Sequence, residues 1–105
     1  MVRGEVFRLR APRVTRGSER RGVRYAVVVQ ADELLALSTV LVSPTSTAAP
    51  PRSFRPTIGL EGSSTRVLVE QTTAVSPERL GERVGRLSAS ELRDLDTALA
   101  LVLGL

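Results

Sequence analysis

Residues Thr15 to Gln30 read TRGSERRGVRYAVVVQ, and this stretch decides the fold. Its first half is charged and punctuated by glycine: Arg16, Glu19, Arg20, Arg21 and Arg24 are spaced around Gly17 and Gly22. Its second half, Tyr25 to Val29, is a valine-rich run suited to a buried strand. A charged loop carried by a rigid strand is where a small domain places a site.

Working outward, Glu5 to Arg10 alternates polar and apolar residues and predicts a first strand with one face inward. Ala11 to Val23 is a long loop, opened by Pro12 and given freedom by Gly17 and Gly22. Arg24 to Gln30 is the second strand, residues 31–36 a short helical turn, and Ser38 to Ser43 the third strand. Strands two and three are apolar on consecutive residues, so both of their faces are covered. Pro44 is expected to end strand three, and Ala48 to Ser53 to form a surface loop stiffened by Pro50-Pro51. Phe54 to Leu60 is a weak strand, placed at an edge because Pro56 has no N–H for a ladder. After a turn at Gly62 to Thr65, a core strand starts at Arg66 and runs on through Gln71 to Val75. Ser76-Pro77 opens a single helical turn, and Arg83 to Leu87 is a last strand.

The chain closes on a helix. Ser88 and Glu91 are spaced as a capping box. Leu92, Leu95, Leu99 and Val102 form one apolar stripe, and Gly104 is placed to stop the helix. The additional Leu101 and Leu103 are expected to join the core, with a subunit contact as the less favoured alternative. Six or seven short strands with one real helix predict a mainly β protein, either a small, strongly bent barrel or two packed sheets. Crossover helices for a parallel sheet are missing.

A chain of 105 residues is expected to form one domain, residues 1–105. It contains no Cys and no His. That excludes a disulfide framework, a thiol nucleophile and a Cys or His metal site. The N-terminus lacks the apolar stretch of a signal peptide, and no segment approaches the ~20 apolar residues of a membrane span. The expected compartment is the cytoplasm. All fifteen basic residues are Arg. Residues 1–24 hold eight of them against Glu5 and Glu19, and the rest of the chain carries seven against nine acids. A segregated positive end points to a polyanion, and the planar guanidinium suits phosphate.

Arg24 stands where the loop enters strand two, and Ser46 just past strand three. If those strands are neighbours, a guanidinium and a hydroxyl come together, with Glu19 five residues before Arg24. An acid, a cation and a hydroxyl suit a phosphodiester. Cation and hydroxyl stabilise charge on the phosphoryl oxygens, and a carboxylate takes a proton from an attacking hydroxyl. RNA carries its own nucleophile, the 2′-OH, so the reaction requires neither metal nor cofactor. Taken singly, Glu19 reads more readily as a surface partner of Arg20 or Arg24, and Ser46 as a turn residue after Pro44; their joint arrangement is what favours chemistry.

The ordered set Arg3-Gly4-Glu5-Val6, Arg16-Gly17-Ser18-Glu19, Arg24, Val27-Val28-Val29, Val42-Ser43-Pro44-Thr45-Ser46-Thr47, Val67-Leu68-Val69-Glu70-Gln71 and Val84-Gly85-Arg86-Leu87-Ser88 resembles the MazF/PemK family of toxins from bacterial toxin–antitoxin pairs. The resemblance spans almost the whole chain. It implies an SH3-like small β-barrel of the CcdB/MazF-like kind with a C-terminal α-helix, and a homodimer. It implies a sequence-specific, metal-independent endoribonuclease acting on single-stranded RNA and leaving a 2′,3′-cyclic phosphate and a 5′-OH. It implies a MazE-like antitoxin partner with an acidic segment laid over the RNA groove. Carried over by position, Arg24, Ser46 and Glu19 match catalytic positions, while Gln71, Ser18, Thr47 and Arg20 fall where RNA is contacted. Two residues depart from the family pattern. Tyr25 replaces the usual Pro after the arginine, and Ser46 replaces the usual Thr. The alternatives are a family member that only binds its antitoxin or another protein, and a generic RNA-binding barrel. Against the last, stacking platforms are limited to Phe7, Tyr25 and Phe54.

Overall fold

The computed structural model describes residues 1–10 and 24–105. The stretch from Ala11 to Val23 that the sequence predicts to be a long loop, with Ser18, Glu19 and Arg20, therefore lies outside the described residues. Seven strands form one antiparallel sheet: β1 (Glu5–Leu9), β2 (Arg24–Val28), β3 (Val40–Ser46), β4 (Thr57–Leu60), β5 (Ser63–Val67), β6 (Thr73–Val75) and β7 (Leu80–Arg86), followed by the helix α1 (Ala89–Leu103). Their order is β4-β5-β3-β2-β1-β7, with β6 also alongside β3. The sheet curls into a half-barrel with one C-terminal helix, the mainly β architecture expected of the sequence.

Strand β2 explains why the sheet needs cover on both sides. Val27 and Val29 enter one buried cluster, with Val6, Ile58, Val67, Val69, Leu87 and the helix residues Leu95 and Ala98. Ala26 and Val28 enter a second, with Val40, Val42, Val75 and Leu80. Alternate residues of a strand face opposite sides, so the continuous apolar run fills two cores at once. The same holds for β1: Val6 joins the first cluster, while Phe7 and Leu9 pack on the second. Strand one was expected to bury one face and buries both.

Strand β3 differs from its expected span. It runs through Pro44 to Ser46 instead of ending at Ser43. The Pro44 carbonyl accepts from the Leu68 N–H at 2.8 Å. In a strand, the N and C=O of one residue point to the same neighbour. The missing N–H of Pro44 thus faces the chain at Leu68, where a 3-10 turn over Val69–Gln71 interrupts the neighbouring ladder. That turn also breaks the long strand expected from Arg66 to Val75 into β5 and β6. Strand β5 pairs with β3 at Thr45–Val67 and Ser46–Arg66, and β6 pairs with it at Val40–Val75, Leu41–Ala74 and Val42–Thr73. The hydroxyls of buried Ser43 and half-buried Thr72 meet at 2.6 Å across the break, and Thr72 donates to the Val69 carbonyl.

The edge position of β4 agrees with Pro56 immediately before it. Its hairpin with β5 turns on two residues, Glu61 and Gly62, so β5 begins at Ser63, inside the stretch expected to be turn. Before β4, Arg55 donates to Glu70 Oε2 through Nε at 3.0 Å and Nη2 at 2.7 Å, and its guanidinium lies 5.4 Å from the Phe54 ring centroid. Donation from Arg55, the largest influence, holds the Glu70 carboxyl below its ordinary value of 4.5.

The helix starts as its sequence predicts. Ser88 Oγ accepts from the Glu91 N–H, and Glu91 Oε1 accepts from the Ser88 N–H at 2.8 Å. The other oxygen of Glu91 accepts from the Gly59 N–H at 2.9 Å, tying the cap to β4. Arg3 fastens the far side: its Nη2 reaches Asp96 at 2.6 Å and its Nε the Val29 carbonyl at 3.0 Å. Gly4 follows at φ 94°, and a Cβ there would stand 2.9 Å from Leu92 Cδ2. Gly104 closes the helix at φ 72°. The expected burial of Leu101 and Leu103 does not occur; they are 56% and 63% exposed. Leu101 lies well round the helix from the Leu95–Ala98 line at roughly 100° per residue. Even Val102, on the stripe, is 38% exposed, so the last turn outruns the sheet.

Two outcomes follow for stability. Leu95 is fully buried, so Leu95→Ala should cost about 2–5 kcal/mol in urea unfolding; a loss under about 1 kcal/mol would show that the helix is not part of the cooperative core. Because Glu70 binds its proton less readily when folded, its contribution is present above pH 4.5 and fades as pH falls below that value. Glu70→Gln should therefore flatten the acid limb of the stability–pH curve, and an unchanged limb would remove the ion pair from the account.

Candidate active site

A cleft of about 680 Å³ opens at the ends of β2 and β3. Strand β2 supplies Arg24 and Tyr25, and the end of β3 supplies Thr45 and Ser46. The β2–β3 register sets Ala26 opposite Pro44 and Val28 opposite Val42. Carried outward by two residues, it brings Arg24 level with Ser46. The neighbourhood of the two strand ends, on which the sequence argument turned, is thus met. Thr47 and Gln71 line the same cleft. Of the seven residues singled out from sequence, Arg24, Ser46, Thr47 and Gln71 come together; Ser18, Glu19 and Arg20 belong to the stretch outside the described residues.

Ser46 is the last residue of β3. Its Oγ accepts from the backbone N–H groups of Ala48 at 3.3 Å and Ala49 at 3.2 Å. This local turn fixes the oxygen and leaves the hydroxyl proton to be donated elsewhere. Gln71 owes its place to the 3-10 turn: with Leu68 and Val69 buried, the next residues swing out to the cleft, and Gln71 is exposed.

Arg55 and Glu61 carry no site signal in the sequence, and Tyr25 stood out there only as a departure from the family pattern and a stacking platform. Arg55 is a second guanidinium on the wall, held side-on by Glu70. Tyr25, the departure from the family pattern, donates its hydroxyl to Glu61 Oε1 at 2.9 Å. That hydrogen bond is the main reason the phenol is held above its ordinary value of 10.0. Glu61 itself sits in the β4–β5 turn at φ 52°, the one non-glycine residue with positive φ among those described. A Glu-Gly pair between two short strands is a weaker relative of the Asn-Gly hairpin signal, and it was the available clue to this turn. Among the described residues, no group of three or more His, Cys, Asp or Glu side chains could hold a metal ion, and no helix is long and apolar enough to cross a membrane.

The chain matches the family model described as PemK-like, MazF-like toxin of type II toxin–antitoxin systems over residues 2–103. It is 38% identical over 106 residues to a candidate toxin of Mycobacterium tuberculosis, covering 100% of this chain and 99% of that protein. It is 37% identical over 117 residues to the endoribonuclease MazF9 of the same organism, covering 100% and 98%. Among solved structures, a mycobacterial endoribonuclease in complex with its cognate antitoxin superposes with a TM-score of 0.82, at 19% identity, over 100% of this chain and 96% of that one. Sequence and fold therefore agree: this chain belongs to the PemK-like, MazF-like toxins of type II toxin–antitoxin systems.

Proposed function

We propose that this toxin is a sequence-specific, metal-independent endoribonuclease that cuts single-stranded RNA, and that it halts translation and growth by doing so. It acts as one domain in the cytoplasm, as a homodimer, until an acidic antitoxin segment covers its cleft. The observation that carries the reading is the convergence of Arg24 and Ser46 at neighbouring strand ends on one cleft. Family membership and the relative named as an endoribonuclease support it.

The reaction is an internal transesterification. The ribose 2′-OH attacks the adjacent phosphorus, the new P–O2′ bond forms, and the P–O5′ bond breaks. The products are a 2′,3′-cyclic phosphate and a 5′-OH. Negative charge builds on the non-bridging oxygens as the attack proceeds. The Arg24 guanidinium neutralises it, and the Ser46 hydroxyl donates to it. Glu19, assigned by resemblance, takes the 2′-OH proton, and Arg24 or a hydroxyl delivers a proton to the departing O5′, which leaves as the 5′-OH. Gln71 and Thr47 hold the strand in register from the cleft floor, and Ser18 and Arg20 extend the contact along the loop. The exposed apolar end of α1, with Leu101 and Leu103, supports a contact between two copies.

Purified protein incubated with a long RNA in EDTA should give fragments whose 5′ ends accept phosphate from a kinase without prior phosphatase treatment. Arg24→Ala should lower the initial rate about 10²–10³-fold and Ser46→Ala about 10²-fold, while Ser46→Thr retains the hydroxyl and stays within about tenfold. Intact RNA, or ends that appear only with magnesium, would defeat the nuclease reading in favour of a toxin that acts by binding.

A further inference from the structure

We infer that Glu61 and Tyr25 form a base-reading pair on the cleft wall, selecting a nucleobase that offers an amino group and disfavouring uracil. The inference rests on the proposal that the cleft takes RNA. It starts from the topology. Strands β2 and β5 are not neighbours; β3 lies between them. The Tyr25–Glu61 hydrogen bond at 2.9 Å therefore links β2 to the β4–β5 turn, two elements that share no ladder. Both residues line the cleft that also holds Arg24 and Ser46.

The turn is built in a way that favours a side-chain role. Glu61 and Gly62 have φ of 52° and 81°, positive at both central residues of a two-residue hairpin. Gly, Asn and Asp are the usual occupants of such positions. A glutamate adopts the left-handed conformation at a cost, and such costs cluster where a side chain is used. The carboxylate is exposed, so burial does not explain it.

Its chemistry narrows the ligand. A carboxylate repels a phosphodiester, so in a nucleic-acid cleft it addresses bases. It carries about four acceptor sites, and the Tyr25 hydroxyl takes one. The others suit the N4 amino group of cytosine, or the amino groups of adenine and guanine. Uracil presents two carbonyl oxygens flanking one N–H and meets the carboxylate with repulsion. The Tyr25 ring packs partly on the first core cluster, which fixes it as a platform for the base. Its phenol stays protonated at neutral pH and holds Glu61 in one orientation.

Binding is measured by fluorescence anisotropy with 2′-O-methyl oligomers, which cannot be cleaved, one all-cytosine and one all-uracil. This pair isolates the amino-for-oxo exchange. The intact protein should prefer the cytosine oligomer about tenfold or more. Glu61→Gln, whose amide both donates and accepts, should bring the two affinities within about threefold. Tyr25→Phe should reduce the preference while leaving the cytosine oligomer bound. Glu61→Asn, a residue suited to the turn, should keep or raise the Tm and also lose the preference. A purely structural pair would lower the Tm without moving the ratio. A ratio near one in the intact protein, or an unchanged ratio in Glu61→Gln, would overturn the inference. RNA cleavage is scored separately. No cleavage with the preference intact removes the nuclease alone, cleavage with no preference removes the base reader alone, and no binding to either oligomer removes both.

Discussion

Strand β3 has to satisfy two ladders along one edge, and the rest of the architecture depends on how it does so. Its final residues pair with β5 and its first residues with β6, and the two registers differ by three positions. The excess chain leaves the ladder as the 3-10 turn over Val69–Gln71. Pro44 lies at that interruption, where a residue without an N–H leaves no donor unsatisfied. An inserted segment bends the strand that carries it and raises the local twist. Ser46 ends β3 beside this irregularity and Gln71 belongs to the turn itself; both line the cleft, as does Glu61 of the β4–β5 turn.

Much of the frame was legible because the signals are local. Val27, Val28 and Val29 in succession require cover on both faces, and the two clusters that supply it are present. Ser88 and Glu91 specify a cap by spacing alone, and Gly104 a stop. Pro56, which has no N–H for a ladder, points to an edge, and β4 is at an edge, although the Pro56 carbonyl accepts from the Val67 N–H at 2.9 Å. The misread positions share the opposite property. Whether Pro44 ends a strand depends on what lies across from it, and that partner comes more than twenty residues later. Whether Arg66 to Val75 is continuous depends on the register of β3. Whether Leu101 and Leu103 are buried depends on how far the sheet extends under the helix. None of these is written in a window of neighbouring residues.

The site divides in the same way. Arg24 and Ser46 were readable as a pair because one antiparallel register relates two adjacent strands. Arg55 and Glu61 were not, because they come from the chain before β4 and from the β4–β5 turn, which no local pattern relates to β2. Tyr25 was visible as a departure from the family pattern, and its partner thirty-six positions away was not. The substitution for Pro removes a constraint on the backbone at Arg24. The hydrogen bond to Glu61 and the packing of the ring restore a different one from the side-chain end.

The charges of the cleft carry the argument a step further. Eight of the fifteen arginines fall within residues 1–24, yet the described walls are mixed: Arg24 and Arg55 stand with Glu61, and Glu70 engages Arg55. A wall of both signs attracts a polyanion weakly at long range, since opposite charges a few ångströms apart cancel beyond a Debye length of about 8 Å. At contact distance the same charges are far from cancelling, and each addresses a different part of a nucleotide. A guanidinium meets phosphate, and a carboxylate meets only the donors on a base. If the cleft takes RNA as proposed, long-range attraction would fall to the arginine-rich sequence of residues 1–24 and discrimination to the mixed walls. A uniformly positive cleft would hold any polyanion in any register, whereas a phosphate set between Arg24 and Ser46 would favour the position in which its neighbouring base avoids repulsion from Glu61.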